Sequence, residues 1–206
     1  LAIGVLLKIY PILLLPALFI AEQQDKGRLA RPATDRLPGQ PGELGRALRG
    51  LFRWQWGNAL LFFAVLIAVT GLFALSDVNN AVVSQFAYFL KRPIQIESLS
   101  ATPLWLAHQA GLSWNIAYTF GSINMTTALN NSISLIFSLL LMLGVLYTLW
   151  CQWQRKYSLA QATVALLFVF IATGKVFSPQ YLIWLIPLLA YTCLLYTSDA
   201  ADDLTR

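Results

Sequence analysis

Apolar residues along the chain gather into five long runs separated by polar segments. Leu1–Ala21 is the first, interrupted by Lys8, Pro11 and Pro16. Asn58–Leu75 is almost wholly aliphatic and Phe, Ser132–Trp150 and Leu159–Thr173 follow, and Tyr181–Thr192 begins a fifth. A bilayer core takes ~20 apolar residues per helix, so these runs predict about five membrane spans and an all-α, polytopic transmembrane fold. The segment Ser76–Asn131 holds two apolar stretches too short to span, Gln85–Leu90 and Leu104–Ala110, which predict short helices lying along the membrane surface. Thr102 as N-cap with Pro103 at the first helical position opens the second of these. The polar, Asn-rich segment Ser113–Asn131 reads as loop, and Asn124 and Asn130 head glycosylation sequons.

Composition turns that pattern into a class. The chain has 206 residues, 58% hydrophobic and only 11% charged. Ordinary soluble domains are ~45–50% apolar and ~25% charged. A mean hydropathy of +0.64 leaves a soluble fold no way to bury its apolar surface, and it excludes a disordered chain or a disulfide scaffold. The net charge of +5 then reports topology before partners. Glu22–Arg53 carries seven bases against four acids, and Arg155 and Lys156 stand without an acid in the next short loop. Both loops face the cytoplasm by the positive-inside rule, so Ser76–Asn131 and the Gly174–Gln180 turn face outward. Trp54 and Trp56 fit an interfacial aromatic belt. The basic loop is read as a topology determinant and no nucleic acid is expected as a partner; Cys151 and Cys193 are too few to indicate a redox compartment.

The chain starts inside an apolar run, without an initiator Met or signal peptide, which predicts a piece of a larger protein. From Cys193 it turns acidic, and CLLYTSDAADD resembles the translation of a transposase-type sequencing adapter. Residues 193–206 are therefore expected to be read-through, and 1–192 a partial transmembrane domain. Without that tail, which holds three of the nine acids and one of the fourteen bases, the net charge is +7.

No P-loop, dinucleotide fingerprint, zinc pattern or Ser-His-Asp set is present, so the informative residues are polar groups in places that membrane proteins ordinarily avoid. Gly174-Lys175-Val176-Phe177-Ser178-Pro179-Gln180-Tyr181 joins two predicted spans at the outer face. Pro179 ends helical structure and Gly174 permits an unusual backbone, so the turn presents an ammonium, a hydroxyl, an amide and a phenol near the headgroups. A lysine there suits a phosphate as a point charge, or simply snorkels. Lys8 inside a span costs ~2.5–3.5 kcal/mol unless it snorkels or lines a cavity, as Tyr10 beside it would. His108 on an apolar surface helix is read as a packing residue.

The stretch GKVFSPQYLIWLIPL resembles the late-loop signature of polyprenol-phosphate-dependent glycosyltransferases of the GT-C superfamily, specifically glycosyltransferase family 87. Leu7-Lys8-Ile9-Tyr10-Pro11 and Arg92-Pro93-Ile94-Gln95-Ile96-Glu97-Ser98-Leu99 are similar to the same family, in an order that fits. The resemblance implies an integral-membrane hexosyltransferase of a bacterial plasma membrane. It would move a hexose, often mannose, from a polyprenyl-phosphate-linked donor to a lipid or glycan acceptor at the extracytoplasmic face, with no cofactor and no metal-ligating residues expected in this chain. The catalytic base, an acidic residue of the first outer loop, would lie upstream of Leu1. Within the chain, Lys175 would contact the donor phosphate, Ser178, Gln180 and Tyr181 would orient phosphate or sugar, Arg92 would be a second phosphate contact, and Glu97 would bind a sugar hydroxyl or fix Arg92. The alternative is a transporter or flippase of lipid-linked or amphipathic substrates, which intramembrane Lys8 and broken helices also suit.

Overall fold

A computed structural model describes residues 10–25, 56–79, 83 and 91–203. The chain divides into two compact units, Leu1–Leu90 with Leu149–Leu159, and Lys91–Thr148 with Ala160–Arg206. The fold is mostly helical, in keeping with the apolar runs. Its helices are α1 (Leu15–Asp25), α2 (Trp56–Ala74), α3 (Thr102–Gln109), α4 (Asn130–Trp153), α5 (Leu159–Thr173) and α6 (Gln180–Asp203). A 3-10 turn, Tyr10–Leu14, leads into α1, so the region of Pro11 and Pro16 is not one uninterrupted helix. Lys8, Trp54 and the Gln85–Leu90 stretch lie outside the described residues.

Against the five expected spans, one helix among the described residues is long and apolar enough to cross a bilayer. It is α4, with a mean hydropathy of 2.2 over a window of which 6% is buried. The apolar parts of the others, Leu60–Ala74, Leu159–Thr173 and Gln180–Cys193, are shorter. In the first unit side-chain donors at and just after the end of α4 reach the main chain of α1. Gln152 Nε2 donates to the Ala17 carbonyl at 2.8 Å, and Arg155 donates to the Gln24 carbonyl at 3.2 Å.

The second unit corrects the all-α expectation, because the Asn-rich segment is a β-hairpin. Strands β1 (Ile94–Gln95), β2 (Asn115–Thr119) and β3 (Ser122–Thr126) form an antiparallel sheet in the order β1-β3-β2. The register pairs Thr119 with Ser122, leaving Phe120 and Gly121 as a two-residue turn with φ of 54° and 74°. Positive φ at both central positions is what the right-handed twist of a hairpin demands. Gly121 takes it freely, whereas an aromatic residue in that region costs roughly 1–2 kcal/mol. One sheet face is apolar at its root: Ile94 and Met125 pack with Ala101 and Leu104 of the following helical segment, flanked by Ile96, Trp114 and Ile133 of α4.

The start of α3 also differs. A 3-10 turn, Leu99–Ala101, runs straight into it, so Ala101 takes the cap position and Thr102 is already helical. The chain arrives helical because Ser98 closes back on Gln95, which leaves Thr102 no capping task. Pro103 still falls in the first turn, where its missing N–H costs nothing.

Candidate functional site

Two of the segments marked in the sequence, Arg92–Leu99 and Gly174–Tyr181, meet in the second unit. The main-chain N–H of Gln95 donates to the Lys175 carbonyl at 3.0 Å, from the edge of β1 that faces away from β3. Beside it Ser98 Oγ lies 2.7 Å from the Gln95 carbonyl, Ser98 and Ser100 Oγ lie 2.8 Å apart, and Ser100 Oγ lies 3.4 Å from the Gly174 carbonyl. Two hydroxyl protons serve these three contacts. Donation by Ser100 to Ser98 and by Ser98 to Gln95 uses the two short ones, and the contact to Gly174 is the weak one. Both serines are buried, so the relay is a structural seam.

The turn itself forms for reasons that differ from the expectation. Gly174 does not adopt positive φ; a Cβ there would stand 3.0 Å from the Phe170 carbonyl oxygen and 3.2 Å from that of Val176. Close approach, not left-handed backbone, calls for the glycine. Pro179 opens α6: Tyr181 N–H reaches the Ser178 carbonyl at 2.8 Å and Leu182 N–H the Pro179 carbonyl at 3.0 Å. Ser178 therefore sits where a helix cap sits, with proline preset behind it.

Lys175 is half-buried in this turn, and burial pushes its ammonium below the usual lysine range. Desolvation is the cause, with no carboxylate paired to it among the described residues. Gln95 is 7% exposed; its Nε2 donates to Glu97 Oε2 at 2.9 Å, and its Oε1 is buried without a partner. Glu97 thus engages Gln95, while Arg92 Nη2 donates to Ser122 Oγ at 2.9 Å, so the suggested fixing of Arg92 by Glu97 gives way to two separate contacts. Gln180 is exposed at the start of α6. The Tyr181 ring is half-buried, 5.0 Å from Trp184 and 6.2 Å from Phe170. Tyr10 begins the 3-10 turn of the other unit.

Sequence reasoning set aside residues that hold this region together. Asn124 is 1% exposed; its Nδ2 donates to Thr119 Oγ1 at 2.9 Å and its Oδ1 accepts from Ser122 Oγ at 3.0 Å. Asn130 Oδ1 accepts from the Thr127 amide at 3.1 Å, and its Nδ2 donates to the Met125 carbonyl at 2.9 Å. Both sequon asparagines are spent on the fold. His108 packs as expected: its ring stacks on Trp114 at 3.8 Å, and Nδ1 lies 2.8 Å from the Leu112 carbonyl. Among the described residues no three His, Cys, Asp or Glu side chains gather as a metal site.

No family model matches this chain, and no curated protein or solved structure matches it.

Proposed function

We propose that this chain belongs to an integral-membrane hexosyltransferase of a bacterial plasma membrane. It would carry mannose or a similar hexose from a polyprenyl-phosphate-linked donor to a lipid or glycan acceptor at the extracytoplasmic face. The reading keeps about five spans, with α1, α2, α5 and α6 joining α4 in the bilayer. Its support is the motif resemblance together with one geometric observation: the Arg92–Leu99 segment is tied through Gln95 to the carbonyl of Lys175.

That tie holds a partly desolvated cation beside a polar strand edge. An ammonium stripped of part of its water gains more from a phosphate than one in bulk solvent, because the local dielectric is lower. As the bond between the sugar C1 and the phosphate oxygen breaks, charge grows on the departing polyprenyl phosphate. Lys175 is the group suited to stabilise it. Gln180 and Ser178, on the same turn, are suited to orient donor oxygens, and Glu97 to accept from a sugar hydroxyl. The base that activates the acceptor lies outside this set.

The test is sugar transfer in the full-length protein reconstituted with a polyprenyl-phosphate-linked radiolabelled hexose. Lys175→Ala should abolish transfer and leave insertion and expression unchanged. Transfer at the wild-type rate removes Lys175 from the site. Movement of the donor across the bilayer without transfer, by the wild-type protein, replaces the enzyme with a transporter.

A further inference from the structure

The β2–β3 hairpin has an apolar face that continues past the part of the core that covers it. Strand alternation puts Ile116 and Tyr118 on the same face as their cross-strand partners Met125 and Ile123. At the root, Met125 is fully buried with Ile94 and Leu104. Towards the turn the cover ends: Ile123 is 49% and Tyr118 76% exposed. The turn adds Phe120, held at a positive φ that glycine or asparagine would adopt with less strain. The opposite face carries Asn115, Ala117, Thr119 and Ser122.

Two further observations identify what meets this tip. The polar face of the hairpin carries a cation, since Arg92 Nη2 donates to Ser122 Oγ beside the turn. The root is pinned to the candidate span: β3 ends at Thr126, α4 begins at Asn130, and Ile133 of α4 packs on the hairpin core. A tyrosine and an isoleucine on one face of a hairpin whose other face holds a guanidinium, tethered to the end of a membrane-crossing helix, match in polarity and charge the boundary between acyl chains and anionic headgroups. We infer that the hairpin tip, through Tyr118 and Ile123, is an anchor that enters the outer leaflet at the level of the lipid phosphates. The inference rests on the membrane-embedded part of the proposed function and is independent of the glycosyl chemistry.

The test uses single cysteines in the full chain, with Cys151→Ala and Cys193→Ser as background. They are labelled with an environment-sensitive fluorophore in nanodiscs of phosphatidylethanolamine and phosphatidylglycerol, with acyl chains brominated or not. Tyr118→Cys and Ile123→Cys are expected to emit at shorter wavelength and to be quenched several-fold more by brominated lipid than Ala117→Cys on the polar face. Leu140→Cys in α4 reports the span itself. Quenching at Leu140 with none at 118 and 123 overturns the anchor and leaves the membrane reading intact. Absence at all positions overturns both. A shortened emission wavelength at 118 without lipid quenching means that a protein surface covers the tip, and it overturns the anchor.

Discussion

The amide of Gln95 and the carbonyl of Lys175 are 3.0 Å apart, and this bond makes an edge of a small sheet part of the wall of an interhelical turn. It has a thermodynamic consequence for the lysine. Burial holds the Lys175 ammonium below the usual lysine range. An unfolded chain therefore binds a proton at this residue over a pH range in which the folded chain has released it. Stability rises with pH across that range; the cost of burying the charge is fully present below the folded value and is relieved above the unfolded one. Affinity for a phosphate ligand runs the other way, falling as pH climbs through the lowered value. Titration of 13C-methylated lysines by NMR, with Lys175→Arg to assign the signal, measures it. A midpoint at or above that of an exposed lysine sinks this account.

Asn124 supports a second expectation. It ties the turn together from the polar face, donating to Thr119 and accepting from Ser122, and Arg92 hangs on the same Ser122 hydroxyl. Asn124→Ala strands hydrogen-bonding groups beside a buried site and should cost about 1–3 kcal/mol. Thermal unfolding of the purified protein measures the loss, and Asn124→Asp should recover part of it by keeping the acceptor. A related result is expected on expression in a eukaryotic secretory pathway: no glycan at Asn124, read by mass. A glycosylated Asn124 in folded protein contradicts the burial.

These cases show where the sequence was legible. Apolar runs predicted Asn58–Leu75, Ser132–Trp150 and Leu159–Thr173, and helices stand there within a few residues because long aliphatic segments admit little else. The hairpin was missed because Asn is depleted in strands and four asparagines from Asn115 to Asn131 suggested loop. The signal was present in Ile116 and Tyr118 alternating with Asn115, Ala117 and Thr119, followed by a two-residue turn that ends in glycine. The approach of Gln95 to Lys175 left no such trace. Both groups in that bond are main-chain atoms, and no side-chain pattern records a main-chain contact between distant segments. Residue order had linked the two segments only through resemblance.

Packing of α4 on α5 gives a sharper test of the helical part. A Cβ on Gly144 would lie 2.6 Å from Val169 Cγ1 and 3.1 Å from Cγ2. Valine is stiff at χ1 and cannot swing both methyls away, so the backbones must separate. Gly144→Ala should destabilise by about 1–3 kcal/mol despite alanine's better helix propensity. Val169→Ala on that background should restore part of the loss, and a double-mutant cycle should return a coupling of about 0.5–3 kcal/mol. Gly71→Ala is the control: nothing lies within 4 Å of its added Cβ, and the change should be neutral or mildly stabilising. Additive effects at 144 and 169 would mean that the two helices do not touch there.

The buried amides of the first unit predict a gain instead of a loss. Gln23 is 3% exposed, and neither Nε2 nor Oε1 has a partner. A buried amide left unmatched costs about 1–3 kcal/mol, and methionine has nearly the same length and shape without the polar atoms. Gln23→Met should therefore raise stability by an amount of that order. Gln152 provides the contrast within the same packing. It is equally buried and its Oε1 is unmatched too, but its Nε2 donates to the Ala17 carbonyl at 2.8 Å. Gln152→Met removes one bond along with one unmet acceptor, so its net change should be close to zero. Thermal unfolding of both variants in the same detergent decides between them. If Gln23→Met destabilises as much as a cavity-forming substitution, its amide is satisfied in the folded protein, and the stability of α1 depends on that amide.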